Sequence, residues 1–155
     1  EKSLTYTTPP LETDLEITGH PVAHLWVTST ADDGDFFVYL EEIDERGRST
    51  YISEGVLRAS HRATAEAPWN TLGLPFHRSF ETDITPLPGG APVELVFDLQ
   101  PTSNIFDAGH RLRITVNGAD VDSFQTPKLD PPPTVSIYRS ARHPSHILLP
   151  VIPAQ

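Results

Sequence analysis

Residues 93–120, VELVFDLQPTSNIFDAGHRLRITVNGAD, decide the fold class. Val93, Leu95, Phe97 and Leu99 alternate with Glu94, Val96 and Asp98, and Leu112, Ile114 and Val116 alternate with Arg111, Arg113 and Thr115. A two-residue period sends successive side chains to opposite faces of an extended chain, so each run reads as a half-buried strand. The residues between, with Asn104, Gly109 and His110, read as a loop rich in turn formers. Two such strands cannot bury their apolar faces alone. A facing sheet is required, and a β-sandwich follows.

The same period recurs outward from this stretch. Residues 21–30, PVAHLWVTST, place Ala23, Leu25 and Val27 on one face and Val22, His24, Trp26 and Thr28 on the other; both faces are partly apolar, which predicts a central strand. Residues 36–44 form a further strand, and residues 45–48 a tight hairpin in which Gly47 supplies positive φ. Tyr51 and Ile52 continue that hairpin, and Glu54-Gly55 is expected to turn into a strand over 56–62. Leu15 and Ile17 mark a strand within 11–19, preceded by an extended arm at 2–8 that Pro9-Pro10 closes. Residues 63–92 are the least periodic and read as an ordered excursion anchored by Trp69, Leu72, Leu74 and Phe76. Residues 126–133 carry three consecutive prolines and are expected to be extended, with closing strands at 134–138 and 146–151.

Composition narrows the function. The 155 residues suit one domain with a single core. With 21 acidic against 11 basic side chains the formal charge is −10, which opposes nucleic acid and anionic membranes as partners. Absence of Cys removes disulfides, thiolate zinc sites and cysteine nucleophiles. No apolar run reaches membrane-spanning length, and Met is absent even at position 1, so the chain reads as a processed product or a piece of a larger one.

Catalytic motifs were weighed against bland readings. A hydrolase serine needs a strained G-x-S-x-G elbow with an oxyanion hole, whereas Gly47-Arg48-Ser49-Thr50-Tyr51 lacks the second Gly and lies in a hairpin; Ser49 reads as a turn serine. Asp32, Asp33 and Asp35 around Gly34 offer oxygens to calcium, but the remaining ligands are missing, and a solvated acidic turn is preferred. His143 and His146 are separated by Pro144 and a strand, which disfavours a zinc pair, so no metal and no cofactor are expected. Glu41 and Glu42 are strand neighbours pointing to opposite faces, which cannot converge on one substrate.

Several segments carry a family resemblance: LEITG at 15–19, LWVTSTADDGDFFVYLEEIDERGRS at 25–49, EGVLRASHR at 54–62, LQPTSNIFDAGHRLRITV at 99–116 and HPSHILLPVI at 143–152. With Asp35-Phe36, Gly55 with Arg58, Gly109-His110-Arg111 and His143-Pro144-Ser145 in order, the chain resembles the C-terminal domain of Xaa-Pro dipeptidyl-peptidases and cocaine esterase-type (CocE/NonD) hydrolases. The resemblance implies an all-β jelly-roll sandwich of the galactose-binding-like type over residues 1–155. It also implies an α/β-hydrolase domain, absent here, as the partner that holds a Ser-Asp-His triad. The stretch LGLPFHRS at 72–79 is similar to a subset of CocE/NonD hydrolases and makes the excursion longer than in cocaine esterases.

Asp35, Arg58, His110 and Arg111 then form a candidate polar set, either an internal lattice or a docking surface. The lattice is favoured, because buried polar groups require partners. Trp69 and Phe76 are candidate pocket-lining aromatics, with a plug at one end of the sandwich as the preferred reading. The functional expectation is a non-catalytic accessory domain that packs on the catalytic domain and shapes the substrate entrance, with self-association as a further expectation. The alternative is a free-standing carbohydrate-binding module.

Overall fold

The computed structural model describes residues 3–120 and 130–153. Its strands are β1 Leu4–Thr7, β2 Leu15–Gly19, β3 Val22–Ser29, β4 Asp35–Ile43, β5 Ser49–Arg58, β6 Val93–Asp98, β7 Thr102–Phe106, β8 Arg111–Asn117, β9 Val135–Ile137 and β10 His146–Leu148. One sheet has the order β1-β8-β4-β5; a second has β10-β3-β6, with β9 also on β3; β2 and β7 form a separate pair. All of these pairings are antiparallel, and the sheets stack as a jelly-roll β-sandwich. Among the described residues no helix is long and apolar enough to cross a membrane.

The alternation in sequence becomes the core. Ala23, Leu25 and Val27 of β3 and Leu95 and Phe97 of β6 face Phe36, Val38 and Leu40 of β4 and Leu112 and Val116 of β8, all buried. Ile17 and Phe106 add the inner face of the small β2–β7 pair. Burying each large side chain contributes roughly 2 kcal/mol through apolar transfer.

β3 is central, as its two apolar faces predict. It pairs along one flank with β6, and along the other with β10 over Val22–His24 and with β9 over Val27–Ser29. At the junction Trp26 donates its backbone N–H to Ser145 Oγ at 2.9 Å, and its carbonyl accepts from the Tyr138 N–H at 2.9 Å. The His143-Pro144-Ser145 motif thus satisfies a strand group that neither partner reaches. Register also defines the two ends of the sandwich. Leu4 opposite Val116, Phe37 opposite Asn117 and Asp35 opposite Arg58 gather at one end, while Ile43 lies opposite Arg111 at the other.

Three expectations need correction. Glu54-Gly55 does not turn: β5 runs straight through it, and Gly55 is required because the backbone of Asp98 crosses directly over it. The strand expected over 56–62 ends at Arg58, in a 3₁₀ turn at Ala59–His61. Residues 102–106, read as part of a loop, are a strand, because β2 supplies the pairing partner. The extended reading of 126–133 falls largely outside the described residues.

Candidate functional site

At the Asp35 end, the cross-strand pair Asp35–Arg58 forms a two-pronged ion pair. Arg58 Nε donates to Asp35 Oδ1 at 2.8 Å and its terminal nitrogen to Oδ2 at 3.0 Å. Asp35 is 7% exposed, and this carboxylate holds the Arg58 guanidinium above its usual range, chiefly through the hydrogen bonds. Asp33 beside it accepts from the backbone N–H groups of Gly34 and Ser60 and from the Ser60 hydroxyl. Two of the three carboxylates considered for calcium are therefore turned inward on protein donors, while Asp32 faces solvent. No group of three metal-ligating side chains occurs among the described residues.

His110 and Arg111 do not join this pair. Seven strand residues along β4 separate the two places, about 23 Å at the rise of an extended chain. His110 Nδ1 lies 2.8 Å from Glu42 Oε1, and Arg111 donates to the Thr8 carbonyl at 3.1 Å. Glu41 points the other way and accepts from the Ser49 hydroxyl at 2.5 Å and from the Thr115 hydroxyl, so the two glutamates diverge as their strand positions predict. Ser49 thus bonds to a carboxylate on an exposed hairpin, an arrangement without a general base for attack.

The His110–Glu42 pair makes a pH prediction. Hydrogen bonding to Glu42 is the leading cause that raises the His110 pKa above its ordinary value of 6.5. A raised histidine stabilises the fold fully below its unfolded pKa, and that contribution disappears as pH climbs through the higher folded value. The urea midpoint should therefore fall between about pH 6 and pH 8, and His110→Gln should flatten the decline. An equal slope in the variant would show that the pair contributes nothing.

The excursion between β5 and β6 is tied down at its base. Thr85 N–H donates to the Ser60 carbonyl at 2.8 Å and Leu87 N–H to Asp32 at 2.6 Å, while Arg62 reaches the carbonyls of Ala59, Thr85 and Pro86. His77 lies with one ring nitrogen 3.0 Å from the His61 carbonyl and the other 2.9 Å from the Val96 carbonyl, on the outer flank of β6. Trp69 and Phe76 meet edge to face with centroids 5.0 Å apart. Their role as a plug needs correction, since Trp69 remains 61% exposed and Leu72, expected as an anchor, 79%. Phe80 and Ile84, at 59% and 47%, extend the exposed apolar set and were not singled out in the sequence. Their only signal there was their place in an aperiodic segment.

Residues 1–148 match the family model for the X-Pro dipeptidyl-peptidase C-terminal non-catalytic domain. The chain belongs to this family. A Mycobacterium tuberculosis (strain CDC 1551 / Oshkosh) protein named provisionally as a serine esterase is 50% identical over 153 residues, covering 97% of this chain and 24% of its own. The cocaine esterase of Rhodococcus sp. (strain MB1 Bresler) is 29% identical over 161 residues, covering 96% of this chain and 25% of its own. A CocE/NonD family hydrolase from Staphylococcus aureus superposes with a TM-score of 0.80 at 20% identity, over 97% of this chain and 30% of that one. The chain therefore spans about a quarter of the length of the curated relatives it matches. As a C-terminal non-catalytic domain, its ordered polar groups have structural partners, and its unpartnered feature is the apolar surface of the excursion.

Proposed function

We infer that this chain is the accessory domain of a larger serine hydrolase, packed on an α/β-hydrolase portion of the same polypeptide and shaping the entrance to its substrate pocket. The observation that carries this reading is the match to a non-catalytic C-terminal domain together with a quarter-length share of relatives named as esterases. Exposed Trp69, Leu72, Phe80 and Ile84 on one anchored segment are the kind of surface that a neighbouring domain covers. The reacting serine, its base and the oxyanion hole belong to the partner domain, and this chain contributes position and shape.

The intact parent polypeptide should hydrolyse p-nitrophenyl acetate and lose that turnover when its elbow serine becomes alanine, while the 155-residue chain alone gives none. Small-angle scattering of the parent should fit one compact body. Turnover by the isolated chain that vanishes in Ser49→Ala, or a scattering profile of two bodies on a tether, would overturn the reading.

A further inference from the structure

The tip of the excursion combines two features that stabilise nothing within this chain. Residues 71–74 form a tight turn closed by the Leu74 N–H on the Thr71 carbonyl at 3.0 Å, with positive φ at both central positions, 58° at Leu72 and 81° at Gly73. Turns of this geometry take Asn, Asp or Gly at those positions, because a side chain beyond Cβ crowds the backbone in the left-handed region. Here a leucine occupies the first of them. It is held there by the Asn70 side chain, whose Oδ1 accepts the Leu72 N–H at 2.9 Å, and by the hydrogen bond between the Ala65 N–H and the Phe76 carbonyl. This strained leucine is also the most exposed of the chain's large exposed hydrophobic side chains among the described residues. Backbone strain and solvent exposure both count against leucine in the free chain; both are offset if the side chain enters an apolar socket.

The position of the turn indicates the occupant. The base of the excursion, at Ala59–His61 and Thr85 to Leu87, hangs from the Asp35 end of the sandwich, where Leu4 of β1 also lies. Three strand spacings across the sheet, about 14 Å, separate β5 from β1. In a C-terminal domain the preceding polypeptide enters through β1, so the missing three-quarters of the relatives' length arrives beside the excursion. At the opposite end, Leu148, Val151 and Ile152 are also exposed but lie far from that entry.

We propose that Leu72, presented by its strained turn, is the anchor by which this domain seats on the α/β-hydrolase portion of its parent, entering an apolar socket there with Trp69 at its flank. This deepens the accessory-domain reading and rests on it.

Amide hydrogen exchange on the intact parent and on the 155-residue chain provides the test. Peptides covering residues 64–80 should exchange at least about tenfold more slowly in the parent, and Leu72→Asp in the parent should return them to the rate of the isolated chain. Leu148→Asp should leave that protection intact. In the isolated chain Leu72→Asn should leave the unfolding midpoint unchanged or raise it, because asparagine tolerates the left-handed backbone. Protection confined to other segments would overturn the anchor while leaving the accessory-domain reading in place. No protection anywhere would overturn both. Protection of 64–80 that appears in the isolated chain with rising concentration would make the occupant a second copy, and would also overturn the proposal.

Discussion

Gly55→Ala should lower the stability of the chain by about 3 kcal/mol, a large effect for the addition of one methyl group. A Cβ at Gly55 would stand 2.6 Å from the Asp98 carbonyl oxygen and 3.1 Å from Leu99 Cα. Those are backbone atoms, and they cannot withdraw. The Gln100 N–H donates to the Glu54 carbonyl at 2.8 Å and the Ser53 hydroxyl donates to the Gln100 carbonyl at 2.6 Å, lacing the crossing chain to β5 on either side of the contact. Relief requires shifting β5 within its sheet or breaking these bonds. Urea denaturation monitored by tryptophan fluorescence would measure the change. A loss below about 0.5 kcal/mol would mean that the crossing is looser than these bonds imply.

The second large effect is expected at the Asp35–Arg58 pair. Arg58→Met keeps much of the aliphatic packing but leaves a buried carboxylate without its two-pronged donor, and should cost roughly 2 to 3 kcal/mol. The figure stays below that of a fully enclosed pair because the Arg58 side chain is 39% exposed and water screens part of the interaction. Asp35→Asn removes the charge while preserving shape. In the double variant the two costs should not add, with a coupling of about 1 to 2 kcal/mol by denaturation of all four proteins. Simple additivity would show that Asp35 draws its stability from elsewhere.

These two sites illustrate what the amino-acid order reveals. Alternation along Val22–Ser29, Val93–Asp98 and Arg111–Asn117 is legible because burial on one face of a strand acts on each residue directly. The sandwich class and the central place of β3 follow from it. Glu54-Gly55 was misread because a glycine beside a turn former looks locally like a turn, and only the crossing of Asp98, forty-odd positions later, makes it a strand glycine. Thr102–Phe106 likewise becomes a strand through β2, more than eighty residues earlier.

The polar set divides for a similar reason. Asp35 and Arg58 were legible as potential partners, since a carboxylate and a guanidinium on neighbouring strands of a hairpin readily meet. Register placed His110 and Arg111 at the far end of β4, and register is a property of pairing between distant segments. Trp69 and Leu72 were expected inside because large apolar side chains usually are. Their exposure depends on the path of a Pro-rich excursion that has no period to read.

The divided flank of β3 has a consequence for how the chain is made. β3 lies near the start of the sequence, yet β9 and β10, which close its second side, lie near the end. On the ribosome, β3 can join β6 while its other edge stays open until the last stretch of polypeptide leaves the exit tunnel. Throughout that interval the nascent sheet carries a row of unpaired amides able to capture a neighbouring strand. Completion of the sandwich is therefore a late, post-release event, and shielding of β3 during synthesis falls to chaperones or to whatever portion of the parent has already folded.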